Sequence, residues 1–357
     1  MICRDDNTFD NVEFLRRFAA KASSARIPLN GGIDLTYRCN LRCIHCYAGP
    51  CSSRQTADKE LSTEQVTGII SQAAEAGCLF LLISGGEPLL REDFPEIYVH
   101  AKRAGLIVTV FTNATLVDDR IIRMFEQWPP HGIEATLYGA SAAVHDSITR
   151  VAGSFNLALG NLQALAARGF RVTVKTILMK QNAGEFDRIE RLAGEFGFRF
   201  KMDAVIFPRL NGDPAPLSLL APVKTAVEKE FSSGHRVESW EAYVERTKAL
   251  PGTDRQYDCG AGLSSFHVDP YGSLLPCLMA RSIRYDLTKG SFETGWREVI
   301  PLIREKAADP SRPCGACDKR AFCSFCPGAF EMDTGDAHFQ YVCEVAGERR
   351  RKLLQSR

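Results

Sequence analysis

Six short apolar runs, the first five each followed by an amphipathic helical pattern, constrain the fold of this chain more than any other feature. The runs cover 32–37, 79–84, 106–112, 133–138, 171–178 and 198–206. Helical patterns occupy 62–76, 93–104, 118–127, 155–168 and 184–196. Strand and helix in strict alternation demand a parallel sheet with helices packed outside it, so the chain is an α/β protein. The helix at 62 even carries its own start signal, Ser62 with Gln65 three residues on. Periodicity leaves an open sheet and a partial barrel both open as solutions.

The regularity stops at Pro208-Arg-Leu-Asn-Gly-Asp-Pro-Ala-Pro216, a stretch that neither a helix nor a central strand accommodates. We therefore divide the chain into an N-terminal capping segment (1–30, with a short helix over 12–22), a βα unit (31–207), a linker with a bridging helix from Pro222 to Leu250 (208–250), and a second domain (251–357). In that last part Phe266 to Cys277 reads as a hairpin turning at Asp269-Pro-Tyr-Gly272.

Charge narrows the function classes. Lys and Arg number 44 against 43 Asp and Glu in 357 residues, so no long-range field favours nucleic acid or an anionic membrane. The basic run Glu348-Arg-Arg-Arg-Lys352 is short and reads as a solvated helix end. Apolar runs such as Cys78 to Ile83 are too short to span a bilayer. The polar start has no signal-peptide core, and a cytoplasmic location is expected.

Thirteen cysteines in such a chain point to metal rather than disulfides. Cys39, Cys43 and Cys46 fall within eight residues, directly after the first strand, where α/β barrels place their chemistry. Three thiolates make an incomplete cage with a coordination position left over. Seven more cysteines lie at 259, 277, 314, 317, 323, 326 and 343. Of the remainder, Cys78 reads as core, Cys3 as part of a terminal segment and Cys51 as a structural thiol.

The triplet Cys39-Asn-Leu-Arg-Cys43-Ile-His-Cys46, joined by Ser84-Gly-Gly-Glu-Pro88 at the end of the second strand, resembles the radical S-adenosylmethionine enzymes. The resemblance implies a partial (β/α)6 TIM-type barrel and a [4Fe-4S] cluster on Cys39, Cys43 and Cys46, whose fourth iron is chelated by S-adenosylmethionine. It implies cofactor contacts at Gly85, Gly86, Glu87 and Pro88, with Glu87 facing the methionine ammonium. Thr112, Asn113 and Thr136 are further candidates at the same barrel mouth. Arg150 is a candidate partner for the carboxylate, Lys175 a candidate inward-facing charge, and the backbone of His45 a candidate adenine contact.

Gly272-Ser-Leu-Leu-Pro-Cys277 and the following cysteines are similar to the SPASM domain of peptide- and protein-modifying members. By motif position, Cys259, Cys277 and Cys326 would hold a nearer auxiliary [4Fe-4S] cluster, with an open iron or a non-Cys ligand. Cys314, Cys317, Cys323 and Cys343 would hold a farther one. The expected function is radical modification, most concretely crosslinking, of a ribosomal precursor peptide. A low-potential donor such as flavodoxin or ferredoxin would supply electrons. The short segment before Gly31 suggests a separate leader-recognition protein. No catalytic residue is assigned. The alternatives are tetrapyrrole side-chain modification and sulfatase maturation by the same chemistry, and, from another class, a zinc-stabilised binding protein. Leu278 stands where sulfatase-maturing relatives carry an Asp base, which ranks that activity low.

Overall fold

Strands and helices alternate from the first strand to the sixth, with one extra helix after the fourth, as the apolar periodicity requires. The computed structural model describes residues 11–49, 58–248, 254–310, 314–333 and 335–355. Cys3, Cys51 and the last two residues of the expected 222–250 helix lie outside them. In chain order the elements are α1 (Asn11–Ser24), β1 (Asn30–Asp34), α2 (Thr63–Glu75), β2 (Phe80–Ser84), α3 (Phe94–Arg103), β3 (Ile107–Thr112), α4 (Asp119–Gln127) and β4 (Gly132–Thr136). Next come α5 (Ala142–Thr149), α6 (Ser154–Ala167), β5 (Val172–Ile177), α7 (Phe186–Glu195), β6 (Arg199–Asp203), α8 (Val223–Glu230) and α9 (Gly234–Lys248). The chain continues with β7 (Ser265–Val268), β8 (Ser273–Leu275), β9 (Tyr285–Asp286), the single turn α10 (Phe292–Thr294), α11 (Pro327–Met332) and α12 (Ala337–Gln355).

All nine strands form one sheet in the order β6-β5-β4-β3-β2-β1-β7-β8-β9. β1 to β6 are parallel neighbours, which is the partial barrel. The hairpin expected at 266–277 forms β7 and β8, but β7 also pairs parallel with β1, Ile33 opposite Val268. The cysteine-rich part of the chain therefore shares the sheet of the βα unit. Asp34 and His267, both buried, meet across this seam at 3.0 Å.

One sheet face is covered by helices. Val108, Val110, Ile133, Ala135, Val172 and Val174 pack there with Ile97, Tyr98, Phe125, Leu162 and Leu165, forming the main core. Side chains alternate along a strand, so Phe111, Glu134, Thr136, Lys175, Ile177, Lys201 and Asp203 belong to the opposite, concave face.

Two helical expectations change. The 222–250 helix is two helices, broken between Glu230 and Gly234, where Ser232-Ser233-Gly234 offers poor helix formers. An additional helix, α5, follows β4. Ser141 caps it, and Arg150 at its end adopts a left-handed φ of 59°.

Candidate active site

The three-cysteine loop leaves the end of β1 and is fastened to two neighbours. Arg42 and Ile44 donate their backbone N–H groups to the carbonyls of Thr149 and Ile148 at 2.8 and 3.0 Å. These are last-turn carbonyls of α5, which lack partners inside their own helix. On the other side Gly86 N donates to Thr36 O at 2.7 Å and Glu87 N to Arg38 O at 2.9 Å.

This contact explains the double glycine. A Cβ on Gly85 would stand 2.3 Å from Thr36 O, and one on Gly86 2.3 Å from Arg38 O and 2.6 Å from Tyr37 O. Both obstacles are backbone, so neither can swing aside. The glycines thus press the β2 turn onto the chain that enters the cysteine loop. Gly85 also holds a φ of +137°, open to glycine at little cost.

A cleft of about 190 Å³ opens where the loop and the strand ends meet. Cys39, Cys43 and Cys46 line it, with Gly85, Gly86, Thr112, Asn113 and Thr136 from the strand ends. Phe111, Ile177, Val205, Ile206 and Phe207 supply an apolar wall. Eight of the ten expected positions at this end of the barrel therefore face one space, as do Ser84 and Asp203; Lys175 lies deeper on the same concave face. Arg150 is exposed on the helix end and lines no part of the cleft.

Glu87 and Pro88 sit behind the cleft. The Glu87 carboxylate is fully buried and accepts from Thr112 Oγ1 (2.7 Å), Asn113 N (2.6 Å) and Leu89 N (3.0 Å). Both its oxygens are engaged by the protein and tie the β2 turn to the end of β3, and the side chain does not line the cleft. Burial pushes this carboxyl up to about 7 in spite of those three donors. Pro88 opens a short turn after it and is buried.

The thiols are equally constrained. Burial, together with the charges of Cys46 and Cys39, pushes the Cys43 thiol far above its usual range, and burial raises Cys46. Three crowded thiolates are stable in such a place when a cationic centre compensates them, which fits an iron–sulfur cluster. Cys39 Sγ accepts from Leu41 N at 3.4 Å and from Asn113 Nδ2 at 3.7 Å. The Asn113 amide is itself held by Asn40 Oδ1 at 2.7 Å. His45 is buried with its ring edge-on to Tyr138, and burial lowers it to about 4, so it is neutral.

The second cysteine group surrounds a larger cavity, about 810 Å³, lined by Cys259, Cys314, Cys317, Cys323 and Cys343. Burial pushes Cys277 up to about 11, with Cys326 and Cys259 adding to the rise. Burial likewise takes Cys323 to about 11, with Cys343 and Cys314 among its charged neighbours. The thiols thus fall into two neighbourhoods, one around Cys277 and one around Cys323. Among the described residues, no three His, Cys, Asp or Glu side chains converge tightly enough for a single metal ion.

Sequence reasoning missed three supports of the site: the α5 carbonyls, the inward commitment of Glu87, and Asp203. The last ends β6 and faces the cleft with one oxygen on Val205 N at 2.9 Å, and desolvation raises its carboxyl. A strand-end Asp in an apolar run was the available signal.

Residues 33–193 match the family described as the Radical SAM superfamily. The mycofactocin maturase MftC of Mycobacterium ulcerans is 29% identical over 303 residues, which are 80% of this chain and 78% of that protein. The AdoMet-dependent heme synthase of Methanosarcina barkeri is 26% identical over 325 residues, 85% of this chain and 92% of that one. Among solved structures, Streptococcus suis SuiB bound to its precursor peptide SuiA superposes with a TM-score of 0.69 at 16% identity, covering 90% of this chain and 78% of SuiB. The matched span contains the three-thiol loop, the glycine turn, the end of β1 and all of β2 to β5, and the βα unit is a radical S-adenosylmethionine domain.

Proposed function

We propose that this enzyme is a peptide maturase that binds a [4Fe-4S] cluster on Cys39, Cys43 and Cys46 with S-adenosylmethionine beside it, and modifies a ribosomally made precursor peptide. The observation that carries the reading is the three-thiol cleft at the mouth of a sheet that also includes β7, the first strand of a second cysteine-rich region. Bound together, cluster and S-adenosylmethionine supply hydrogen-atom abstraction from an unactivated C–H bond.

The chain's own residues do the rest. The α5 carbonyls and the Gly85–Gly86 turn fix the thiols from both sides, so they are positioned before any ligand arrives. Phe111, Ile177, Val205 and Ile206 exclude water and leave few hydrogen donors near a reactive species. Neutral His45 contributes packing and no charge.

The two thiol neighbourhoods support assigning Cys259, Cys277 and Cys326 to one auxiliary cluster and Cys314, Cys317, Cys323 and Cys343 to another. Flavodoxin or ferredoxin is the fitting donor class, and a separate protein would present the leader. The test is mass spectrometry of a small precursor co-expressed with the enzyme from neighbouring reading frames. Loss of two hydrogens is expected, and an unchanged mass or a new aldehyde defeats the proposal. A second reading, tetrapyrrole modification, is favoured by the heme synthase likeness along most of its length. Porphyrin titration of the purified protein, followed by Soret absorbance, separates the two.

A further inference from the structure

Directly below the cleft, the concave face carries a charged group that the reaction as described does not use. Glu134, Lys175 and Lys201 each lie two residues before a cleft-lining residue of their strand, Thr136, Ile177 and Asp203 respectively. That places them about 7 Å deeper, at a strand rise of about 3.3 Å per residue.

Both lysines converge on one carboxylate. Lys201 Nζ meets Glu134 Oε1 at 3.0 Å, and Lys175 Nζ binds Oε2. The Lys175 ammonium also lies 4.7 Å from the centre of the Phe111 ring, which lines the cleft above. Burial alone would raise Glu134, but the two lysines outweigh it and hold its carboxyl below the usual range. The group is therefore two cations against one anion. Exposures differ within it: the Glu134 side chain is 14% exposed, Lys175 32% and Lys201 59%. The acid is spent inside the cluster while the lysines remain open to a ligand, each with N–H donors to spare. β6, which bears Lys201, is the edge of the sheet, so this side of the barrel is reachable.

We propose that Lys175 and Lys201 form a carboxylate-recognition site at the barrel floor, selecting peptides that present an acidic side chain beneath the reacting position. The proposal rests on the peptide reading above and narrows it to an acidic substrate segment. Glu134 holds the ammoniums together until the substrate carboxylate arrives. A guard against edge-to-edge strand pairing would also place charges on β6, but such a guard does not distinguish Glu from Gln in a ligand.

The test uses the anaerobically reconstituted holoprotein without reductant, so it does not depend on turnover. The probes are the N-acetylated, C-amidated tetrapeptides Ala-Glu-Ala-Ala and Ala-Gln-Ala-Ala, with binding followed by ligand-observed NMR. The Glu peptide is expected to bind about tenfold more tightly at low salt, a difference worth about 1.4 kcal/mol that shrinks as salt rises. Lys201→Gln should abolish the preference, and Glu134→Gln should widen it by freeing both ammoniums. Melting temperatures of both variants check that the fold is intact. Equal binding of the two peptides, no binding by either at millimolar concentration, or a preference that survives Lys201→Gln overturns the proposal. An unmodified precursor alongside a clear Glu preference would instead fault the maturase reading alone.

Discussion

The two cysteine regions are built in opposite ways. The first places three thiols within eight consecutive residues and borrows its rigidity from backbone of the α5 end and the β2 turn, with the Asn113 side chain at the end of β3 on Cys39 Sγ. The second collects its thiols from separate stretches, around 259, 277, 314–326 and 343, and depends on side chains distant in sequence. Arg349 of α12 is 2% exposed and binds Glu230 of α8 through two bonds of 2.6 and 2.7 Å. It also donates to Phe322 O at 3.2 Å and Ser324 Oγ at 3.0 Å, on either side of Cys323. A compact loop can be specified locally, whereas a dispersed site fails or holds as one unit with its scaffold.

The largest expected effect follows from that dependence. Arg349→Ala leaves Glu230 as a buried carboxylate without its cation and frees the Cys323 loop, at a cost of about 3–5 kcal/mol. Chemical iron analysis and the urea midpoint should then report loss from the second region, while the electron paramagnetic signal of the Cys39, Cys43 and Cys46 cluster persists. Simultaneous loss of every cluster would show that the first region is not locally specified.

Glu87 gives the converse prediction for the first region. Its folded-state carboxyl, pushed to about 7, lies above its ordinary value of 4.5, so the folded protein binds this proton more tightly than the unfolded one. Stability therefore falls as pH rises from about 4.5 through 7, by up to about 3 kcal/mol. Thermal melts across this window should show the slope in wild type and a flatter profile in Glu87→Gln. An identical slope in the variant assigns the proton elsewhere.

What the sequence made legible follows the same division. The strand alternation, the Cys39 triplet and the Gly85–Gly86 turn are readable because their determinants are short patterns with a single physical solution. The pairing of β7 with β1 is not, because it joins residues more than two hundred positions apart and is held by the buried Asp34–His267 contact. Glu87 reads as an available anion until its three donors are seen. Lys175 reads as a candidate inward-facing charge, but its partners do not, since only the register of β4, β5 and β6 brings it and Lys201 to one carboxylate.

Two glycines allow the contrast to be tested with the same chemical change. Gly86 presses on the chain entering the first cysteine loop; Gly328, two residues after Cys326, presses on the chain leaving Cys277. A Cβ there would stand 2.7 Å from Met279 C and O and 2.8 Å from Ala280 N. Both obstacles are backbone, but the Gly86 approach is the closer at 2.3 Å. Overpacking of this kind costs about 1–3 kcal/mol, so Gly86→Ala should fall near the top of that range and Gly328→Ala near the middle. The sharper readout is where iron is lost. Gly86→Ala should displace Cys39 from its partners and deplete the first cluster, leaving the second region loaded. Gly328→Ala should part Cys326 from Cys277 and deplete only the auxiliary cluster proposed for them, because the Cys323 neighbourhood is anchored separately through Arg349. If Gly328→Ala also emptied the Cys314, Cys317, Cys323 and Cys343 set, the second region would be a single cooperative unit with no internal division.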